Sequence, residues 1–195
     1  MINKKIVFIL IMFFALNINA QDESNKLLDL RDNTTYKVVT IGEQTWMAEN
    51  LNFETEKSWC FGNKAENCNT YGRLYSWEAA NKACPEGWHL PSDNEWKQIE
   101  KYLGMTDIEL DKFNTWRGTD QGKQLISSDL TGFDLLMGGF RNPNNLLKGI
   151  QGFMWTSTEK NGHAWYRQFY KDSPKIFRNT RPKNRAFSVR CLKNK

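Results

Sequence analysis

Apolar positions change their spacing several times along this chain, and each change marks an element. Residues 6–16 form one unbroken apolar run, IVFILIMFFAL, behind Lys4 and Lys5 and ahead of the polar stretch NINA. The run is far shorter than the roughly 20 residues a membrane-spanning helix needs. A basic start, a short apolar run and the small residue Ala20 instead read as a secretory signal over residues 1–20. No Cys follows the run to carry a lipid, so a secreted, periplasmic or cell-surface destination without a transmembrane span is expected. Residues 21–33 are charged and nearly free of aromatics, which predicts a tether ordered only near the first strand. Residues 34–195 then form one domain.

Within that domain, TYKVVTI and QTWM alternate on either side of Gly42 and Glu43, which is a hairpin signal. SWEAANKAC reads as a helix, with Ser76 as its cap and Pro85 as its stop, and Trp77, Ala80 and Cys84 fall on one face. A second helix is marked by the capping box Ser92-x-x-Glu95, the stripe Trp96, Ile99 and Leu103, and Gly104 beyond its end. From Met105 to Leu130 the periodicity weakens to a short helix after Thr106 and then loop. Three aromatic or β-branched runs, GFMWTST, AWYRQFY and AFSVRCL, predict the closing strands.

Four cysteines in an exported chain predict two disulfides. Four allow three pairings. Cys60 and Cys68 bracket a polar loop that a short bridge would hold, which leaves Cys84, on the apolar face of the first helix, for Cys191, which points inward by strand alternation. The spacings lack the Cys-x-x-Cys pairs of a zinc site, and neither metal nor cofactor is expected. The formal charge of +5 is unevenly spread, with ten Lys or Arg against Asp172 alone between Arg167 and Lys195. On an exported protein such a stretch favours an anionic polysaccharide or acidic surface over nucleic acid, the alternative being a solvated hairpin face.

The run YGRLYSWEAANKACPEGWHLPSDNEWKQIEKYL and the closing AFSVRC resemble the C-type-lectin-like group. More closely, TIGEQTWMAENLNF, YGRLYSWEAANKACPEGWHLPSDNEW, LLMGGFRN, FMWTST and FSVRC together look like the Fibrobacter succinogenes major paralogous domain, a family of exported bacterial proteins, over roughly Leu30 to Lys193. The resemblance implies an α+β domain of C-type-lectin-like form: two helices packed on a twisted antiparallel sheet, with long loops and two disulfides. It implies no activity. The Leu90, Pro91, Glu95 and Trp96 pattern is also similar to formylglycine-generating enzymes, whose chemistry needs reactive cysteines, whereas all four here are expected in bridges. Calcium-dependent lectins carry acidic ligands where this chain has Asn142-Pro143-Asn144, and calcium takes six to eight oxygens, so a turn is the expected role. His89 and His163 belong to no recognised catalytic set, and Asp93 and Glu95 suit helix capping.

Eight Trp give the chain many stacking surfaces, and most have places in helix stripes or strands. Trp59 and Trp116 do not. With Arg117, Arg141, Asn142 and Asn144 they form the expected ligand-facing surface, mostly within the loop region between Met105 and Gly152; plugging of loop bases is the alternative. The expected function is that of an exported, non-enzymatic binding or surface-interaction module whose partner is an extracellular glycan, an anionic polysaccharide or a surface protein. An enzyme descended from the formylglycine-generating-enzyme-like fold, or a structural envelope protein, is the alternative.

Overall fold

The computed structural model describes residues 25–142 and 150–195. The signal over 1–20 and the expected site residue Asn144 lie outside them. The hairpin forms as its alternation predicts, from β2 (Thr34–Ile41) and β3 (Gln44–Met47) around Gly42 at φ 61°. Ahead of it, β1 (Lys26–Asp29) pairs antiparallel with β2. Within the stretch expected as tether, Lys26–Asp29 is therefore strand, anchored where Asp29 is buried against Arg31 (2.6 Å), whose guanidinium also donates to the Ala83 carbonyl (2.8 Å).

The remaining elements in chain order begin with β4 (Ser58–Trp59), a 3-10 turn over Phe61–Asn63, α1 (Ala65–Tyr71), β5 (Leu74–Ser76) and α2 (Trp77–Ala83). Next come β6 (Trp88–His89), α3 (Asp93–Tyr102), α4 (Asp107–Leu110), β7 (Thr115–Arg117), α5 (Gln121–Ile126) and α6 (Ser128–Thr131). The chain closes with β8 (Gln151–Lys160), β9 (His163–Tyr170), β10 (Ile176–Pro182), β11 (Ala186–Phe187) and β12 (Leu192–Lys193). Strand orders are β1-β2-β3-β12-β6, β7-β10-β9-β8 and β11-β5-β4.

This corrects the C-type-lectin-like expectation of two helices on one twisted sheet: the described residues hold six α-helices and three separate sheets. Two physical causes stand out. The short helix expected after Thr106 is α4, but the stretch beyond it, expected as loop to Leu130, folds into the edge strand β7 and two further short helices, α5 and α6. The expected last strand, AFSVRCL, is split, because its middle spends its backbone bonds bridging sheets: Ser188 N–H donates to Phe153, and the carbonyls of Val189 and Cys191 accept from Leu51 and Met47. The expectation of two disulfides holds, as Cys60–Cys68 and Cys84–Cys191. The second closes a separation of 107 residues, a closure that stabilises by about 4 to 5 kcal/mol in the chain-entropy picture.

The four-stranded sheet divides the interior. Strand alternation sends Phe153, Trp155, Ala164 and Tyr166 to one side, where they meet Phe187, Val189 and Cys191. It sends Met154, Phe169 and Ile176 to the other, against Trp96 and Ile99 of α3, with Trp46 and Phe133. Trp96 is the hub there, its ring centroid 4.9 Å from Trp46 and 6.0 Å from Phe133. The capping box is complete: the Ser92 hydroxyl accepts from Glu95 N–H (3.2 Å), and the Glu95 carboxylate accepts from Ser92 N–H (2.7 Å). Trp96→Ala should cost about 3 to 5 kcal/mol by opening this core, and Ser92→Ala about 1 kcal/mol by removing the cap. Denaturant midpoints of the two variants check the order; a milder Trp96→Ala would show that the α3 face has been misassigned.

Candidate functional site

Asp93 opens α3 and Glu100 lies two turns further on, so both carboxylates share the buried face with Trp96. Opposite them stand three guanidiniums from three strands. Arg178 holds Asp93 with two bonds (2.9 and 2.6 Å), Arg167 bridges Asp93 and Glu100 (2.6 Å each), and one Arg117 nitrogen donates to both Glu100 oxygens (2.7 and 2.8 Å). Arg167 and Arg178 are direct cross-strand partners, a like-charge pairing that is unfavourable unless an anion sits between them. Asp93 is that anion. Burial alone would raise its carboxyl, but the bonds from Arg178 and the charges of Arg167 and Arg178 outweigh it and hold Asp93 well below the ordinary carboxylate range. Burial pushes Arg117 down to about 10 despite the attraction of Glu100, with Arg167 adding repulsion. The Trp165 ring lies 3.8 Å from the Arg178 guanidinium and closes the cluster on that side. This network locks α3 to the sheet.

The opposite face of the same sheet carries the cleft. Gly152 lets the segment before Phe140 lie against β8, since a Cβ there would stand 2.9 Å from Leu135 and 3.1 Å from the Leu136 carbonyl. Gly139 then bridges to Gly152, and Arg141 bridges to Ala186 of β11. The strip from Phe140 to Asn142 becomes one wall of a cavity of about 510 Å³, lined also by Gln151, Phe153, Gln168, Arg181, Pro182, Arg185 and Phe187. Its floor is aromatic, with Phe140 and Phe153 at 4.9 Å and Phe153 and Phe187 at 5.2 Å between centroids. The Gln168 amide donates to Gln151 (2.9 Å) across its middle. Arg181 and Arg185 bring two cations to its rim, and neither has a carboxylate partner among the described residues.

The expected ligand-facing residues divide. Asn142 lines the cleft. Arg141 alternates away from it and lays its guanidinium 4.5 Å from the Trp59 ring, so this pair braces the back of the wall beside the Cys60–Cys68 bridge. Trp116 stands on the edge strand β7, 37% exposed and packed on Phe177 at 5.4 Å. Arg117 is 1% exposed within the ion network, which withdraws it as a ligand-facing residue: strand alternation turns it inward beside the outward Trp116. Phe153, Gln168 and Phe187 were legible only as strand residues, because alternation tells which side they face but not that a gap lies above them.

His89 sits between Asn194 (2.6 Å) and Glu95 (2.9 Å), apart from the cleft. Among the described residues no group of His, Cys, Asp and Glu is placed to hold a metal, and no helix is long and apolar enough to cross a membrane.

A disulfide-closed α+β domain with a ligand-sized cleft on one sheet face is thus the class of protein that the geometry defines. The chain belongs to the Fibrobacter succinogenes major domain family, whose pattern it matches over residues 39–193. Comparison with curated proteins and with solved structures gave no match.

The Asp93 carboxyl is depressed on folding from the usual value of about 3.9, so its stabilisation is complete above about pH 4 and is lost as pH falls toward the folded value. Asp93→Asn should cost about 3 to 5 kcal/mol at neutral pH by leaving two buried guanidiniums short of charge. Below about pH 4 the variant's stability should fall less steeply than the parent's. Urea denaturation across that range checks both; parallel pH profiles would contradict the assignment.

Proposed function

We propose that this chain is an exported binding module that takes an extracellular ligand in the cleft between the β8–β10 face and the strip from Phe140 to Asn142. The cleft carries the reading. A volume of about 510 Å³ is in the range of small-ligand sites, and its lining combines an aromatic floor with a few polar groups able to orient an occupant. Those polar groups are amides, which donate and accept hydrogen bonds, and guanidiniums, which only donate, and neither exchanges protons near neutral pH. Such a lining recognises rather than transforms. Export is supported by the signal-like residues 1–20 and by two disulfides, which persist in oxidising compartments.

The position of the cleft fits that role. Each wall is tied down on its far side, the sheet by the ion network and the strip by the Arg141–Trp59 stack, so the site is formed before the ligand arrives. Preorganisation of this kind reduces the ordering cost of binding.

The test is a panel of neutral and acidic bacterial polysaccharides and surface proteins presented to the exported form and to a Gln151→Ala/Gln168→Ala double variant. The variant should keep its melting temperature within a few degrees and lose binding by about tenfold or more, as expected when two polar contacts at about 1 kcal/mol each disappear. Undiminished binding by a folded double variant would place the site elsewhere.

A further inference from the structure

We infer that the occupant of the cleft is an acidic saccharide chain, laid across the strands with its anionic groups at Arg181 and Arg185. This rests on the cleft being the binding site. The two guanidiniums lie on one rim, on β10 and just before β11, and no carboxylate neutralises either among the described residues. Every other arginine on β9, β10 or the closing stretch is committed: Arg167 and Arg178 to Asp93, and Arg190 to Asn50 (3.0 Å) and the Asp134 carbonyl (2.6 Å). Arg181, exposed and 5.8 Å from the Tyr166 ring, and the half-buried Arg185 are thus the two that reach the cleft without an anion among the described residues. A guanidinium pairs with the planar oxygens of a carboxylate or the tetrahedral oxygens of a sulfate ester in the same two-bond manner.

The neutral part of the site fits a ring. Phe140 and Phe153 present aromatic surface, Gln151, Gln168 and Asn142 present amide donors and acceptors, and that mixture suits a pyranose, apolar on its C–H face and hydroxylated at its edge. The site also continues beyond the cavity. The sheet register places Phe153, Gln168, Phe177 and Trp116 side by side on β8, β9, β10 and β7. Neighbouring strands lie about 4.8 Å apart, close to the advance of one sugar unit along a chain. The row therefore runs from the aromatic floor, over the polar Gln168, to the tilted ring pair Phe177 and Trp116 at the open edge. A disaccharide fits within the cavity; a longer chain would also reach Trp116.

Isothermal titration with tetragalacturonate, digalacturonate, a dextran sulfate oligomer and neutral dextran tests this directly. The charged probes should bind and the neutral dextran should not, affinity should fall as salt is raised, and carboxylate against sulfate arms identify which anion the rim prefers. Arg181→Gln/Arg185→Gln should lower the affinity for the preferred anion by about tenfold or more. Trp116→Ala should weaken tetragalacturonate, or the sulfated oligomer, several-fold and leave digalacturonate unchanged. Binding of neutral dextran that the Gln151→Ala/Gln168→Ala variant abolishes would overturn the acidic class while keeping the cleft. Charged-probe binding that survives in the folded Arg181→Gln/Arg185→Gln protein would overturn the rim assignment. Failure of every saccharide, with a surface protein captured and lost on the cleft substitutions, would overturn the saccharide but not the site.

Discussion

Two carboxylates seven positions apart on one helix cannot be buried beside an aromatic core unless cations meet them there. In this chain they are met by guanidiniums from β7, β9 and β10, and the exchange binds three strands to α3. Removing one member of such a set leaves the others charged and dry, at a cost of about 3 to 5 kcal/mol. The arrangement is therefore directional as well as adhesive: Asp93 must lie between Arg167 and Arg178, and Glu100 between Arg167 and Arg117, or the cross-strand cations repel. Two apolar surfaces could slide past each other; this set has one register.

The period-2 geometry of a strand turns that constraint into the position of the cleft. Since Arg167 and Arg178 face α3, Gln168 and Phe177 must face the other way, and the cleft stands on the side the ion network does not use. Its second wall is braced independently. Arg141 lies on Trp59, next to the Cys60–Cys68 bridge, while Phe140 and Asn142 on either side of it look into the cavity. Membership of the Fibrobacter succinogenes major domain family defines the frame, and the chemistry of this particular cleft rests on residues such as Arg181 and Arg185 at its rim.

Features written in short-range pattern were legible in the sequence. Ser92 and Glu95 cap α3 as the box predicts, Gly42 turns the first hairpin, and the helix and strand periodicities aim Cys84 and Cys191 at each other. What escaped was long-range. The stretch around Arg178 reads only as part of a basic end or a solvated hairpin face, yet it is the strand β10, because Asp93 and Trp165 offer its arginine a buried place that only the folded chain contains. Asp93 reads in the sequence as a helix cap and Arg117 as a ligand-facing loop residue, whereas Arg167 and Arg190 lie within the strand-like runs. An acid on an apolar stripe with arginines inside aromatic strands is the signal that should have been read as a buried network. The cleft had no such signal, since a gap between two sheet faces is a property of their spacing.

The claim that α3 holds the cleft-bearing sheet through this network is tested most directly by amide hydrogen exchange on Glu100→Gln, which keeps the shape of the side chain and removes its charge. Arg117 and Arg167 both lose their shared anion, so protection should fall together in α3, β7, β9 and β10, while the β2–β3 hairpin stays as protected as in the parent. Loss confined to the turn of α3 around residue 100, with β9 and β10 unchanged, would show that apolar packing alone holds the sheet and would contradict the account.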